Sequence, residues 1–406
     1  MTEPAAGVAI VGVVGAGTMG AGIAQVALEA GHEVVLHDVD EAAIARGRAR
    51  VADGLRRRHS KTGAHGAALD GFVDRALERL RDGHSLDAVA AEADVVIEAA
   101  LEDLALKQLI FRTLDGSARA DTLLATNTSA LPVAAIAAAT TRPERVLGLH
   151  FFNPAPVMPL VEIVVTGTVA AEALERADAL VRGWGKTPIR VRDGPGFLVN
   201  RVNRPFTLEP LRLLEQGRAG VGAIDDAIVG AGFPLGPFAY MDLVGVDVNL
   251  AATTAVWDGL GRPDRLRPSP IQRALVDAGK LGRKTGQGFY VHENSRPAGV
   301  APPFRSAAGA PADMAADAIV ERVRLALANE AFHALDAGMA TAEDVDRALR
   351  LGASHPAGPL EWTLAFGLDR ALEALESLAA TEGSHWAPAP GFVRAAHAGA
   401  IRASDR

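Results

Sequence analysis

The chain has 406 residues, 49% of them apolar and 22% charged, with a formal net charge of −8. That length suffices for two or three domains with real cores, and the scattered Lys and Arg form no basic stripe of the kind that tracks nucleic acid or an anionic membrane. The absence of cysteine excludes disulfides, thiolate nucleophiles and thiolate metal sites, and no metal is expected.

The opening "MTEPAAGVAIVGVVG" lacks a basic segment, and its apolar run breaks at glycines far short of a membrane span, so an untargeted cytoplasmic protein is expected. Residues 8–14 form a short apolar run, Gly15 to Gly20 a turn, and Thr18 to Gly31 a helical pattern. A second apolar run, "EVVLHD", ends at Asp38, which makes a strand, helix, strand unit. Gly15, Gly17 and Gly20 fit G-x-G-x-x-G: a tight turn, close backbone approach to a pyrophosphate, and close packing of helix on strand. With the strand before it, the helix after it and an acid closing the next strand, the pattern predicts a dinucleotide site formed by Gly15, Gly17, Thr18, Met19, Gly20 and Asp38. Asp38 would accept from the adenosine ribose and repel a 2′-phosphate, favouring NAD over NADP, although Arg46 and Arg48 nearby keep NADP open.

Further apolar runs at 93–100, 122–129, 145–152, 160–167 and 188–193 alternate with helical stretches, the pattern of a doubly wound α/β sheet. Within "GLHFFNPAPVMPLVEIVVTG", 148–167, His150 and Glu162 sit in an otherwise apolar strand pattern. Such groups either satisfy each other or do chemistry, because a buried carboxylate without a partner is costly. Ser129 ends the strand "LLATNTS", and ligands of open parallel sheets lie beyond the carboxyl ends of strands, so Ser129 and His150 are placed to converge.

After residue 193 amphipathic helical patterns take over. "NRVNRPFTLEPLRLLEQG", 200–217, aligns with "ERVRLALANEAFHALDAG", 321–338, matching Arg201 with Arg322 and Glu209 with Glu330. Asp225 falls on Asp346, and "PLGPFAYMDLVGVD", 234–247, aligns one register later with "PAGPLEWTLAFGLD", 356–369. This is an internal duplication of a helical domain. The expected organisation is a Rossmann-type domain over 1–193, a first helical domain over 194–293, a Pro/Gly/Ala/Ser-rich linker over 294–312 and a second helical copy over 313–406.

"VVGAGTMGAGIAQVALEAGHEVVLHD", "IEAALEDLALKQLIF", "LLATNTSAL", "GLHFFNPAPVMPLVEIV", "GPGFLVNR" and "GKLGRKTGQGFYVH" together resemble the 3-hydroxyacyl-CoA dehydrogenase family, including its 3-hydroxybutyryl-CoA members, from about residue 8 to 294. The resemblance implies NAD-dependent oxidation of an (S)-3-hydroxyacyl-CoA, and the reverse reduction, in fatty-acid or aromatic-acid (phenylacetate) metabolism. It implies His150 as catalytic base, Glu162 as its partner, and Ser129 and Asn200 as contacts to the reacting part of the substrate. Asn200 belongs to the helical region, so closure between domains is expected to complete the site. The resemblance also implies Glu102, Lys107 and Asn127 on the cofactor side and Lys61 at the CoA portion. At the family's companion CoA-contacting serine this chain has Gly54. The position aligned with Asn200 in the second copy is Glu321, so that copy is expected to be structural, filling the place a partner subunit's domain takes in shorter relatives. A homodimer and a pseudo-paired monomer are both consistent with this layout. With no hydratase domain ahead of residue 8, a monofunctional enzyme is expected. The competing expectations are a dehydrogenase of a free hydroxy or sugar acid and a non-catalytic NAD-binding or structural protein.

Overall fold

The structure is a computed structural model that describes residues 9–61, 63, 65–305 and 313–401. Its contacts define two compact units, divided between Asp193 and Gly194.

In the first unit, β1 (Ile10–Val14), β2 (Glu33–His37), β3 (Leu80–Asp82), β4 (Val95–Glu98), β5 (Leu123–Thr126) and β6 (Val146–Phe151) are all parallel, in the spatial order β3-β2-β1-β4-β5-β6. This is the six-strand order of a dinucleotide-binding sheet, with its switch point between β1 and β4. The strands read as continuous Val/Ile/Leu runs because both faces are covered. Val11, Val13, Leu36, Ile97 and Leu149 point into one buried cluster, while Val14, Val35, Val96 and Leu124 point into the other. Helices α1 (Thr18–Glu29) and α2 (Glu41–Ser60) follow β1 and β2, α3 is Gly66–Leu77, α4 is Leu86–Glu92 and α5 (Leu104–Ser117) follows β4. Asp40 and Asp103 cap the first turns of α2 and α5.

Beyond β6 the sheet changes direction. Strand β7 (Leu160–Val165) runs antiparallel to β6, and β8 (Thr187–Arg192) then runs parallel to β7. The connection 152–159 is shorter than the dozen or so residues that a parallel crossover requires, so the chain folds back beside the strand it has just left. That reversal sets His150 directly opposite Glu162 in the β6/β7 register.

Among the described residues the second unit is helical, with one hairpin. Strands β9 (Tyr290–Glu293) and β10 (Arg296–Val300) pair antiparallel across Asn294 and Ser295, both at positive φ (50° and 63°), the signature of a two-residue turn that follows the strand twist. The expected linker begins within this hairpin: Val300 and Phe304 pack against the helical core, and 306–312 lie outside the described residues.

The duplication appears in three dimensions as an exchange. Arg201 Nε donates to Glu330 Oε1 at 2.9 Å, and Arg322 Nε donates to Glu209 Oε1 at 2.8 Å. Each copy's arginine thus pairs with the other copy's glutamate, the reciprocity of a two-fold interface written within one chain. The long helix Ala316–Asp336 carries Arg322 and Glu330, and the helices Val199–Val202 and Pro205–Glu215 carry Arg201 and Glu209. Both copies also share a turn device. Asp225 accepts from the backbone N–H of Phe238 and Ala239 (2.9 Å each), and Asp346 from those of Leu360 (2.8 Å) and Glu361 (3.0 Å). Glycine is required beside each carboxylate, since a Cβ at Gly236 or Gly358 would stand 2.2–2.4 Å from side-chain atoms of that aspartate.

Candidate active site

The three glycines after β1 each do a different job. Gly15 has φ +99°, and a Cβ there would lie 2.6 Å from the Ala99 carbonyl oxygen, so only glycine makes the turn against β4. A Cβ at Gly20 would fall 1.7 Å from the Gly15 oxygen, so glycine lets α1 pack directly on the loop. Gly17, the N-cap of α1, has nothing within 4 Å of where its Cβ would be. Open space over a helix N-terminus, where backbone N–H groups and the helix dipole face outward, is where a dinucleotide's pyrophosphate fits. Thr18 is exposed there and Met19 half-buried, packed against the core. Asp38, at the end of β2, accepts from Ala16 N through Oδ2 (2.6 Å) and from Val39 N through Oδ1 (2.7 Å). A carboxylate has about four acceptor positions, so these two bonds orient Asp38 and still leave capacity for ribose hydroxyls. The cradle fits NAD.

Next along the switch edge are residues from the ends of β4 and β5. Glu102 Oε1 accepts from Thr128 Oγ1 (2.6 Å), Ser129 N (3.0 Å) and Ala130 N (3.2 Å). Lys107 is 1% exposed and donates to Glu98 Oε1 at 2.6 Å, with Glu102 Oε2 at 3.5 Å. Its ammonium is thus enclosed by carboxylates rather than presented at the surface. Asn127 Oδ1 accepts from Phe151 N at 2.8 Å, tying the end of β5 to the residue after His150. Ser129 is exposed on the turn that follows.

His150 is 5% exposed and Glu162 fully buried; Nδ1 and Oε2 lie 2.6 Å apart. An ionised carboxylate only accepts, so the ring proton sits on Nδ1 and Nε2 is the basic nitrogen. The loop after His150 is held from below by a residue that no sequence motif marks. Buried Lys186 donates to the carbonyls of Ala155 and Met158 (2.7 Å each), and burial, followed by the nearby Arg58 guanidinium, pushes its ammonium down to about 8.

Between α1, α2 and that loop lies a cavity of about 650 Å³ whose lining includes Arg50, Arg57, Arg58, Lys61, Gln25 and Asn153. Four cations in one hollow suit a polyphosphate ligand. Gly54 also faces it, and a Cβ there would meet Gln25 Oε1 at 2.1 Å. The carboxamide of Gln25 therefore occupies the space that a serine at 54 would need. Asn200 lies in the second unit on the helix Val199–Val202, where its carbonyl accepts from Arg204 Nε at 2.6 Å. Among the described residues no group of three or more His, Asp or Glu side chains is placed to hold a metal ion, and no described helix is long and apolar enough to cross a membrane.

Comparison with known proteins agrees with this geometry. The model of the 3-hydroxyacyl-CoA dehydrogenase NAD binding domain matches residues 10–194, and that of the C-terminal domain matches twice, at 196–292 and 319–405. The 3-hydroxyadipyl-CoA dehydrogenase of Escherichia coli (strain K12) is 36% identical over 91% of this chain and 93% of its own. The human mitochondrial hydroxyacyl-coenzyme A dehydrogenase is 41% identical over 69% of this chain and 90% of its own. Among solved structures, a 3-hydroxybutyryl-CoA dehydrogenase from Escherichia coli K12 superposes with a TM-score of 0.86 at 34% identity, covering 97% of this chain and 99% of that one. The (S)-3-hydroxybutyryl-CoA dehydrogenase of Ralstonia eutropha gives 0.67 at 38% identity, covering 71% and 100%. With both domain models matched in order, the second of them twice, the chain belongs to the 3-hydroxyacyl-CoA dehydrogenase family and is an NAD-dependent oxidoreductase.

Proposed function

We propose that the chain interconverts an (S)-3-hydroxyacyl-CoA and its 3-oxo ester with His150 as general base, Glu162 as its partner, and Ser129 and Asn200 as substrate contacts. The observation that carries this reading is the buried His150–Glu162 pair at the carboxyl edge of β6, next to the strand end that presents Ser129. NAD, when bound, supplies the acceptor for the two electrons. His150 Nε2 takes the proton of the C3 hydroxyl, and Glu162 stabilises the imidazolium that results. Ser129 hydroxyl and Asn200 carboxamide hydrogen-bond the reacting oxygen and the thioester carbonyl, holding C3 in line. In the reverse direction His150 returns the proton to the forming alkoxide.

For the cofactor, Asp38 reads the ribose, Gly15, Gly17, Thr18, Met19 and Gly20 the pyrophosphate, and Glu102 and Asn127 the nicotinamide half, with buried Lys107 held behind Glu102. The cation-lined cavity beside Lys61 takes the nucleotide end of CoA. Alignment over 91% of this chain with the 3-hydroxyadipyl-CoA dehydrogenase supports a dicarboxylic acyl ester beside the butyryl ester. The reciprocal Arg201–Glu330 and Arg322–Glu209 pairs support a second helical copy that stands in for a partner subunit's domain.

The test is NADH formation from NAD with (S)-3-hydroxybutyryl-CoA and (S)-3-hydroxyadipyl-CoA, run beside free 3-hydroxybutyrate and L-gulonate, for the wild type and His150→Gln. Turnover confined to the thioesters, lost in His150→Gln with NADH affinity kept, is the expected result. Near-wild-type turnover by His150→Gln removes the base assignment.

A further inference from the structure

Glu98 ends β4 with its side chain fully buried, and nothing in the reaction as described uses it. We propose that Glu98 is a positioning residue for the dehydrogenase reaction, anchoring a relay through Lys107 and Glu102 that fixes the turn presenting Ser129; this rests on the reading of Ser129 as a substrate contact.

The relay is continuous. Glu98 Oε2 accepts from Thr126 Oγ1 of the neighbouring strand β5 at 2.7 Å, and Oε1 accepts from Ala100 N and Lys107 Nζ, each at 2.6 Å. Lys107 reaches on to the Ala100 carbonyl (3.4 Å) and to Glu102 Oε2 (3.5 Å). Glu102 Oε1 then takes Thr128 Oγ1, Ser129 N and Ala130 N. Thr126 closes the loop from the other side, its Oγ1 accepting from Thr128 N at 3.2 Å. The residues flanking Ser129 are thereby held from both ends, with Glu98 bonded to one anchor, Thr126, and to the lysine that meets the other, Glu102.

Stability alone is a poor reason for this arrangement. Desolvating a carboxylate and an ammonium costs free energy that a well-packed apolar pair of similar volume would not, so buried pairs are weak evidence for stability. What such a pair does supply is a single geometry, since each bond is short and directional. Of the two strands that flank β4, β1 closes on buried Val14 and β5 on buried Thr126, the hydroxyl that donates to Glu98. Only β4, whose end adjoins both the glycine turn and the Ser129 turn, closes on a buried glutamate among these three.

Glu98→Ala would take the nearest carboxylate from a buried ammonium and mix a folding cost into the readout, so the test uses two gentler changes. Thr126→Val removes one donor to Glu98 and the acceptor for Thr128 N while leaving Lys107 paired. Glu98→Gln combined with Lys107→Met removes both charges together. Each is made alone and with Ser129→Ala, and kcat, thioester KM and the NADH dissociation constant are measured for all. Coupled residues lose less together than the product of their separate losses, whereas independent ones multiply. The expected result is a kcat loss of about tenfold for Thr126→Val, with KM and NADH affinity within about twofold, and almost no further loss when Ser129 is already alanine. The charge-free pair is expected to show the same coupling. Losses that multiply would overturn the proposal while leaving the Ser129 reading intact. A Ser129→Ala variant with wild-type kcat would overturn both.

Discussion

Replacing Glu162 by Gln isolates the charge of one atom group, because the side chain is fully buried and its partner is fixed by strand register. The carboxylate lies 2.6 Å from His150 Nδ1, and under the proposed mechanism a full ion pair forms, as the imidazole takes the substrate proton, in a site that solvent barely reaches. With charge centres about 4 Å apart and an effective dielectric of about 20, the attraction is about 4 kcal/mol. At about 1.4 kcal/mol per decade that bounds the loss near a thousandfold. The carboxamide oxygen still accepts from Nδ1–H, so part of the stabilisation survives, and a fall in kcat of about 10²–10³-fold is expected. The missing interaction exists chiefly when the imidazolium does, so thioester KM and NADH affinity are expected to stay within about threefold. Steady-state NADH absorbance over a range of thioester concentrations, with NADH fluorescence titration for binding, separates the terms. A kcat within about fivefold of wild type would refute the assignment of Glu162 as stabiliser of the protonated base, and a loss entirely in KM would make it a packing residue.

Gly17→Ala is expected to raise the NADH dissociation constant by at least about tenfold with the melting temperature within ~2 °C, since the new methyl meets nothing in the protein and only the space over the helix N-terminus. Gly20→Ala, whose Cβ would fall 1.7 Å from the Gly15 oxygen, is expected to lose folded protein instead; similar behaviour of the two variants by fluorescence titration and thermal melting would contradict this division of roles. Burial pushes the carboxyls of Asp225 and Asp346 up to about 6, so the folded state binds their protons more tightly; their stabilisation is full below about pH 4 and lost as pH rises through about 6. Melting temperatures between pH 4 and 7 should therefore fall less steeply with rising pH in Asp225→Asn/Asp346→Asn than in wild type, and parallel curves would exclude the effect. Arg201→Met leaves Glu330 buried with Arg265 as its remaining ion-pair partner and is expected to cost about 3 kcal/mol in urea unfolding, while adding Glu330→Leu should recover most of it; equal costs for single and double variants would deny that the pair matters as a pair.

Much of the site is legible in the sequence because its residues violate a pattern. Three glycines in six residues between a strand and a helix serve a close backbone approach, and a histidine and a glutamate in an apolar run must be paired or reactive. The glycine readings and the helical duplication rest on local spacing, and local spacing is what a single sequence carries. What stays hidden depends on distance in space. That Glu162 faces His150 follows from a reversal at 152–159 which a strand-like pattern cannot signal, because parallel and antiparallel strands share the same period of two. Glu98 reads as the polar end of "VVIE", yet in the fold three donors converge on it. Gly54 reads as a missing contact, whereas in the fold Gln25, 29 positions earlier, fills the space. The hairpin at 290–300 is masked by a Pro- and Gly-rich composition that reads as linker, although its Asn294-Ser295 turn carries the local signal.

The duplicated copies diverge where their surroundings differ, and one aligned pair shows the cause. Asp242 in the first copy is 1% exposed and accepts from Phe289 N and Tyr290 N (2.9 Å each), with His292 Nε2 also 2.9 Å from its carboxylate. Its task is to hold the hairpin segment against the helix Pro237–Val244. The corresponding position in the second copy is Leu364, 52% exposed on the helix Pro359–Phe366, and no strand follows that copy among the described residues. A carboxylate without the hairpin's donors would have no partners there, so the residue type was free to change. Asp225 and Asp346 stayed alike for the opposite reason, since each still caps the two backbone N–H groups of the helix beside it. The same logic applies to Asn200 and Glu321. The first is the residue proposed above as a substrate contact, and the second, 39% exposed by side chain, pairs with Arg370 within its own copy. The arginines and glutamates at 201, 209, 322 and 330 are retained because each is the other copy's partner. Divergence in this chain thus tracks lost neighbours, and retention tracks neighbours kept, within a copy for the aspartates and across the two copies for the arginines and glutamates.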